Sequence, residues 1–260
     1  MRAILSTILL SFALSVLAVS PTGLGLSNIA TLASATPPAS GGGDPHFASV
    51  TYLVNQAGSN GSTPSPAVVG GTITYTGNAA ITTSTAPLTY SSSLTLDGAG
   101  DVAWLASGNG SNLTGDFTVE LFFKPSGTAN NSRLIDISAN KLAIFIDGAM
   151  SSATAKVFSA DGGGYLYLGT SLGNIGTSTW RHIALSRTGS SVRLFFDGVQ
   201  IGSTVTNSST QGSNNANGVT LGSYFKGDAN FYNGQIGPMR ITKGVGRYSG
   251  TFTPEYFYQS

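Results

Sequence analysis

The sequence has no cysteine, and among its 260 residues only two are glutamate and two are histidine. The absence of cysteine excludes disulfides, thiolate metal sites and cysteine nucleophiles. Charged residues make up 9% of the chain, well below the usual quarter, and the net charge is +1. Because the cations form no basic stripe, we expect no nucleic-acid partner. The 40% of hydrophobic residues still suffices for a sizeable core.

The N-terminal segment, residues 1–34, is apolar with Arg2 as its only charge, and three interpretations fit it. A short basic start before an apolar stretch is typical of a cleaved signal peptide. The second interpretation is a retained segment that docks into a larger assembly, and the third is a short transmembrane helix. Paired prolines and a glycine triplet then predict a linker over residues 35–45. The folded domain is expected to occupy residues 46–260.

Beyond the linker, apolar residues alternate with a period of two, which predicts β-strands. In FTVELFFKP (117–125), one face carries Phe117, Val119, Leu121 and Phe123. The pairs Asp147-Gly148 and Asp197-Gly198 stand between alternating runs and predict hairpin turns, because both residues tolerate positive φ. Many short strands separated by Gly, Asn and Ser turns indicate an all-β sandwich or jelly roll.

Five segments of the chain carry recognisable motifs. They are DPHFASVTYLVNQAGSNGST (44–63), SLTLDGAGDVAWL (93–105), GDFTVELFFKP (115–125), WRHIALSRTGSSVRLFFDGVQIG (180–202) and FYNGQIGPMRITKGVGRYSGTFTPE (231–255). In this order they resemble the concanavalin A-like, laminin-G-like domains found in phage tail fibres and related virion proteins. The resemblance implies an antiparallel β-sandwich. The sequence also departs from the family pattern, because Gly237 and Pro238 occupy positions where an acidic pair is common.

The same sandwich fold includes glucanases, so catalysis has to be considered. A retaining glycosidase needs two carboxylates about 5–5.5 Å apart. Glu120 has no acidic partner on its strand, and we expect it to pair with Lys124 or Arg193. His182 lies mid-strand without a nucleophile motif, and a structural hydrogen bond is expected for it. The sequence therefore predicts no catalytic residue and no enzymatic activity.

Laminin-G-like domains often bind calcium through loop carboxylates, so the resemblance implies calcium as the candidate cofactor, with Asp97 and Asp101 as its ligands. Neither aspartate lies in a dense acidic loop, and a tight turn at Asp97-Gly98 explains the first of them better than a metal site does.

A sugar site needs an aromatic surface beside amide or carboxylate groups. The segment YFKGDANFYN (224–233) supplies both kinds of group. Its candidate ligand-binding residues are Tyr224, Asp228, Asn230, Phe231 and Tyr232. The alternative for this segment is a loop whose aromatic rings pack on the sheet edge.

We interpret the chain as a phage virion structural protein: a short fibre, spike or decoration subunit that displays a lectin-like sandwich on the virion surface. It would contact other virion proteins through residues 1–34, assemble as a homo-oligomer, with a trimer favoured, and bind host or environmental glycans. The alternative is a secreted bacterial adhesin or lectin whose signal peptide is removed. In either case Arg247 and Tyr248 near the C-terminus are expected to attach the tail to the sheet.

Overall fold

The computed structural model describes residues 43–63, 69–106, 111–127, 129–161, 164–212, 217–227 and 229–257. The predictions made for residues 1–34 lie outside these ranges. In the described part of the chain, no helix has both the length and the apolar composition needed to cross a lipid bilayer. This part forms two antiparallel β-sheets, as the alternating pattern predicts.

The first sheet has eight strands, and β15 is central to it. Its members are β1 (Val50–Val54), β3 (Ala80–Thr82), β4 (Ser93–Asp97), β6 (Phe117–Pro125), β11 (Arg181–Thr188), β12 (Ser191–Phe196), β13 (Val199–Thr206) and β15 (Asn233–Lys243). Their order is β13-β12-β11-β6-β15-β4-β3, and β1 pairs with β15 beyond the end of β4. The last strand of the sandwich, β15, lies within the closing motif at residues 231–255.

The second sheet has seven strands. They are β2 (Ile73–Thr76), β5 (Val102–Leu105), β7 (Ala129–Ile137), β8 (Leu142–Gly148), β9 (Ala153–Ser159), β10 (Gly164–Gly173) and β14 (Val219–Leu221). Their order is β10-β9-β8-β7-β14-β5-β2. Strands β7, β8 and β9 form a meander, and β14 joins it to the β2–β5 pair.

The core lies between the inner faces of the two sheets. The four alternating residues predicted for β6 are all fully buried in it, opposite side chains such as Ile135 and Ile144 of the second sheet. The predicted turn at Asp197-Gly198 is confirmed: φ is 48° at the aspartate and 81° at the glycine. Positive φ at both turn residues matches the twist of the flanking strands β12 and β13.

The outer face of the first sheet is covered by the chain's own C-terminal tail, residues 244–257. Phe122 points outward from β6, and its ring centre lies 5.3 Å from that of Phe257 in the tail. The Phe252 N–H donates a 3.0 Å hydrogen bond to the Gly198 carbonyl. A side chain at Gly246 would collide with the Arg187 carbonyl, so the tail passes closely over β11. The tail explains why β6 carries apolar residues on both faces.

Candidate functional site

Glu120 is the one glutamate within a strand, and its side chain is fully buried beneath the tail. It accepts hydrogen bonds from Arg240 Nε (2.9 Å), Tyr248 Oη (2.9 Å) and, over 3.1 Å, from His182 Nε2. The expected partners, Lys124 and Arg193, were wrong, because Arg240 on the adjacent strand β15 lies directly opposite Glu120 in the sheet register. Burial raises the pKa of this carboxyl, but Arg240 and His182 outweigh burial and hold the pKa at about 2.

Glu120, Arg240, His182 and Tyr248 form a buried polar cluster, and Asp44 joins it from the other end of the domain. Its carboxylate accepts hydrogen bonds from Arg240 Nη1 (3.0 Å) and from both terminal nitrogens of Arg247 (2.9 and 2.7 Å). Arg247 also donates through Nε to Thr242 on β15 over 2.6 Å. The contacts predicted for Arg247 and Tyr248 with the sandwich's own strands are therefore confirmed. The cluster fastens both ends of the domain to the first sheet, and it exposes no carboxylate to a substrate.

The two candidate calcium ligands lie together, in the turn between β4 and β5. Asp101 is 1% exposed, and its carboxylate accepts N–H bonds from Asn78 (2.7 Å) and Asp97 (2.9 Å). Asp97 in turn accepts the Ala99 N–H over 2.7 Å. Both side chains thus stabilise the turn. Among the described residues, no group of three or more acidic or histidine side chains is placed to hold a metal ion.

The predicted sugar-binding segment divides between the surface and the core. Tyr224, Asn230 and Phe231 are partly exposed. Tyr232 is 1% exposed, packs edge-on against Phe123 and belongs to the core, so it presents no surface to a ligand. Asp228 lies outside the described residues.

The outer face of the second sheet brings aromatic and charged side chains together. Its central members are Trp104, Arg133, Asp136, Phe145, Phe158 and Tyr165, with Tyr224 and Lys226 added by the loop after β14. Tyr165 is 51% exposed, and its ring centre lies 5.2 Å from that of Phe158 and 6.1 Å from that of Phe145. We call this set the aromatic face.

At the middle of the aromatic face lies a buried ion pair. The Arg133 guanidinium is 4.3 Å from the centre of the Phe145 ring and 5.8 Å from that of Tyr224. Its Nε is 4.0 Å from Asp136 Oδ2, beyond hydrogen-bond distance. Asn140 contacts both residues: its N–H donates to Asp136 Oδ1 and its Oδ1 accepts from Arg133 Nη2, each over 2.8 Å. Burial raises the pKa of Asp136 to about 6, against the opposing effects of the Asn140 N–H and Arg133.

Local backbone geometry creates this pair. Residues three apart on a regular strand point to opposite faces. The pairing of β7 with β8 shifts between Arg133 and Ile135, so the extra residue Leu134 forms a bulge and Asp136 returns to the face of Arg133. Positive φ at Asn140 (70°), after two further left-handed residues, then turns its side chain back toward Arg133. The sequence analysis missed Arg133 and Asp136, because a bulge leaves no mark in a period-two pattern, and it also missed Tyr165 on β10.

These features define a two-layer antiparallel sandwich with one face covered by its own tail and the other carrying aromatic rings around a polar pair. Residues 75–245 match the concanavalin A-like lectin/glucanases superfamily, laminin-G type, and the chain belongs to this family. No protein of curated function matches the sequence.

Solved structures share the fold at low identity. Domain 4 of AbnA, an extracellular arabinanase from Geobacillus stearothermophilus solved with arabinotriose, is 18% identical, with a TM-score of 0.52 over 75% of this chain and 92% of that chain. The binding domain of botulinum neurotoxin serotype D/C is 12% identical (TM-score 0.55; 76% of this chain, 50% of that one). A Trypanosoma rangeli sialidase complex is 14% identical (TM-score 0.51; 84% and 34%). These likenesses establish the fold.

Proposed function

We propose that this sandwich is a lectin-like module that binds glycans through its aromatic face. The observation that carries the proposal is Tyr165, half exposed beside Phe158 and Phe145 and next to the Arg133–Asp136 pair. Sugars bind where a flat apolar ring surface adjoins polar groups that fix orientation. Family membership supports the assignment, as does the arabinotriose complex of the similar arabinanase domain.

The proposed module acts without catalysis. Glu120, which the glucanase comparison singles out, is fully buried between Arg240 and His182 with a pKa of about 2. A general acid in glycoside hydrolysis needs a raised pKa and access to the glycosidic oxygen. Release of reducing ends from polysaccharides, lost in Glu120→Gln, would contradict this part of the proposal.

Affinity electrophoresis tests glycan binding directly. The full chain is run in native gels that contain dextran, mannan, arabinan, galactan, alginate or polygalacturonate. We expect retardation in at least one gel, and we expect Tyr165→Ala to reduce it, since stacking on one ring contributes on the order of 1 kcal/mol. Val199→Ala is the matched control, because Val199 is similarly exposed (55%) on β13 of the other sheet. Unretarded migration of the wild type in every gel would refute the proposal.

We further propose that the module is displayed on a virion surface as a homo-oligomer, a trimer being favoured, with residues 1–34 docked to other virion proteins. The resemblance to tail-fibre domains and the order of apolar segment, linker and sandwich support this role. The alternative is a secreted adhesin that has lost its signal peptide. Intact mass of the native protein separates the two, because a mature chain beginning near residue 36 would refute docking through the N-terminal segment.

A further inference from the structure

The loop after β14 places the ammonium group of Lys226 over an aromatic ring at the protein surface. Lys226 Nζ lies 4.0 Å from the centre of the Trp104 ring and 5.4 Å from that of Phe225. Lys226 is exposed and Trp104 is half-buried, so this pair is open to solvent. An aromatic ring attracts a cation without neutralising its charge. Lys226 therefore presents a positive charge and hydrogen-bond donors on the aromatic face.

Other lysines near the second sheet have a carboxylate partner, and Lys226 differs from them in this respect. Lys141 Nζ lies 3.1 Å from Asp161, and Lys156 Nζ lies 2.7 Å from Asp147. Within the described part of the chain, Lys226 forms no ion pair, and its closest charge-related contact is the Trp104 ring. An exposed ammonium of this kind can form a charge-assisted hydrogen bond with an anionic ligand.

The backbone holds Lys226 in a conformation that residues other than glycine rarely adopt. Its φ of 53° and ψ of 16° lie in the left-handed region. The Lys226 N–H donates to Thr220 Oγ1 over 3.3 Å, and the Gly227 N–H donates to the Tyr224 carbonyl over 3.0 Å. These bonds fix the loop before any ligand arrives. A preorganised loop loses less conformational entropy on binding, which favours affinity.

We propose that Lys226, held over Trp104, binds a carboxylate group of an acidic polysaccharide. The ammonium donates a charge-assisted hydrogen bond to a carboxylate oxygen of a uronic acid unit. Lys226 covers one face of the Trp104 ring, so a neutral sugar cannot stack on that face. This inference rests on the proposed glycan-binding function and names the class of glycan that the aromatic face accepts.

The ligand is a chain, because Trp104 and Tyr165 lie far apart on the same outer face. They belong to one row of residues that are paired directly from strand to strand. Five strand spacings separate them, which corresponds to about 24 Å. One sugar unit is too short to contact both ends of this row. The row consists of Trp104, Thr220, Asp136, Ala143, Phe158 and Tyr165.

The experiment uses native gels that contain polygalacturonate or alginate, each beside a form of the same polymer whose carboxylates are esterified. It compares the full-length wild type with Lys226→Gln and with the control Lys141→Gln, and mobility is referred to gels without polysaccharide. We expect an acidic polymer to retard the wild type more than its ester does. Because a hydrogen bond to a charged group is lost, Lys226→Gln should bind about 10-fold more weakly. The control removes the same charge from a lysine that is paired with Asp161, and it should bind like the wild type.

Salt dependence separates a binding role of Lys226 from a structural one. Retardation of the wild type by the acidic polymer should fall with added sodium chloride more steeply than that of Lys226→Gln. Equal retardation of the two proteins in an acidic gel would overturn the inference and leave the proposed function standing. The same holds for a wild type that only neutral or esterified polymers retard, and for a variant with a lower Tm that binds acidic and neutral polymers equally weakly. A wild type that no gel retards would overturn both proposals.

Discussion

Replacing Asp136 with asparagine should make the protein more stable at neutral pH, and the gain should depend on pH. The pKa of Asp136 rises from 3.8 to about 6 on folding, chiefly through burial. The folded state therefore binds this proton more tightly than the unfolded state does. The stabilisation that comes from protonating Asp136 is therefore complete below pH 3.8. It is lost as the pH rises from 3.8 to about 6, and at higher pH the contribution of Asp136 no longer changes.

The size of the effect follows from the shift. A change of about 2 pKa units corresponds to about 3 kcal/mol, at 1.36 kcal/mol per unit. Asparagine does not titrate and can keep the acceptor for the Asn140 N–H. The free energy of unfolding of Asp136→Asn minus that of the wild type should thus increase by about 3 kcal/mol between about pH 3 and pH 7. Glu120 titrates in both proteins, so its contribution cancels in this difference.

Chemical unfolding in urea at a series of pH values measures the difference. Asp147→Asn is the control with the opposite sign, because its hydrogen bond with Lys156 lowers the pKa of Asp147. That variant should be slightly less stable than the wild type at neutral pH, by about 1 kcal/mol or less, and equal to it at low pH. A difference for Asp136→Asn that stays constant with pH, or falls as the pH rises, would refute the argument. That outcome would mean that the Arg133 guanidinium stabilises ionised Asp136 more than burial destabilises it.

Three further predictions concern the tail and the turn. Tyr248→Ala removes a hydrogen bond to Glu120 and a ring stacked on Phe252. Urea unfolding should show a free energy of unfolding lower by about 3–5 kcal/mol, and glycan binding should be unchanged. Glu120→Gln leaves Arg240 beside an uncharged partner, so the free energy of unfolding should fall by about 3–5 kcal/mol at neutral pH. The loss should be much smaller near pH 2, where the wild-type carboxyl becomes protonated. A loss of equal size at both pH values would contradict this prediction. Added calcium should leave Tm unchanged, because Asp101 already accepts two backbone N–H groups; a rise in Tm that is absent in Asp101→Asn would reverse that expectation.

The fold could be predicted from local signals because those signals determine it directly. Alternation places Phe117 and Phe123 on the core face of β6, and the Asp197-Gly198 pair has the positive φ values that its hairpin needs. The five ordered motifs supply the family, which the match over residues 75–245 confirms. The alternation and the turns depend on residues close together in the chain, and each motif is one continuous segment, so a sequence displays all of them.

The polar sites could not be predicted in the same way. The partners of Glu120 come from β11, β15 and the tail, up to 128 positions away in the chain. The sequence around Tyr232 resembles an exposed loop. In the structure the Tyr232 N–H donates a hydrogen bond to the Gly222 carbonyl, and the ring of Tyr232 packs in the core. Arg133 and Asp136 share a face only because of the bulge at Leu134. Strand register decides each case, and composition does not encode it.

Glu120 and Asp136, two carboxylates buried on the outer faces of the sheets, show how hydrogen-bond partners decide the pKa of a buried acid. Glu120 accepts bonds at both oxygens, from Arg240 at Oε1 and from Tyr248 at Oε2, and its pKa falls to about 2. Among the described residues, Asp136 accepts a hydrogen bond at Oδ1 alone, and its pKa rises to about 6. Burial opposes the charge in both residues, so the difference in pKa reflects the partners that each side chain has. A buried carboxylate whose two oxygens both accept hydrogen bonds from cations and hydroxyls keeps its charge despite burial, whereas burial with fewer such partners favours the protonated acid.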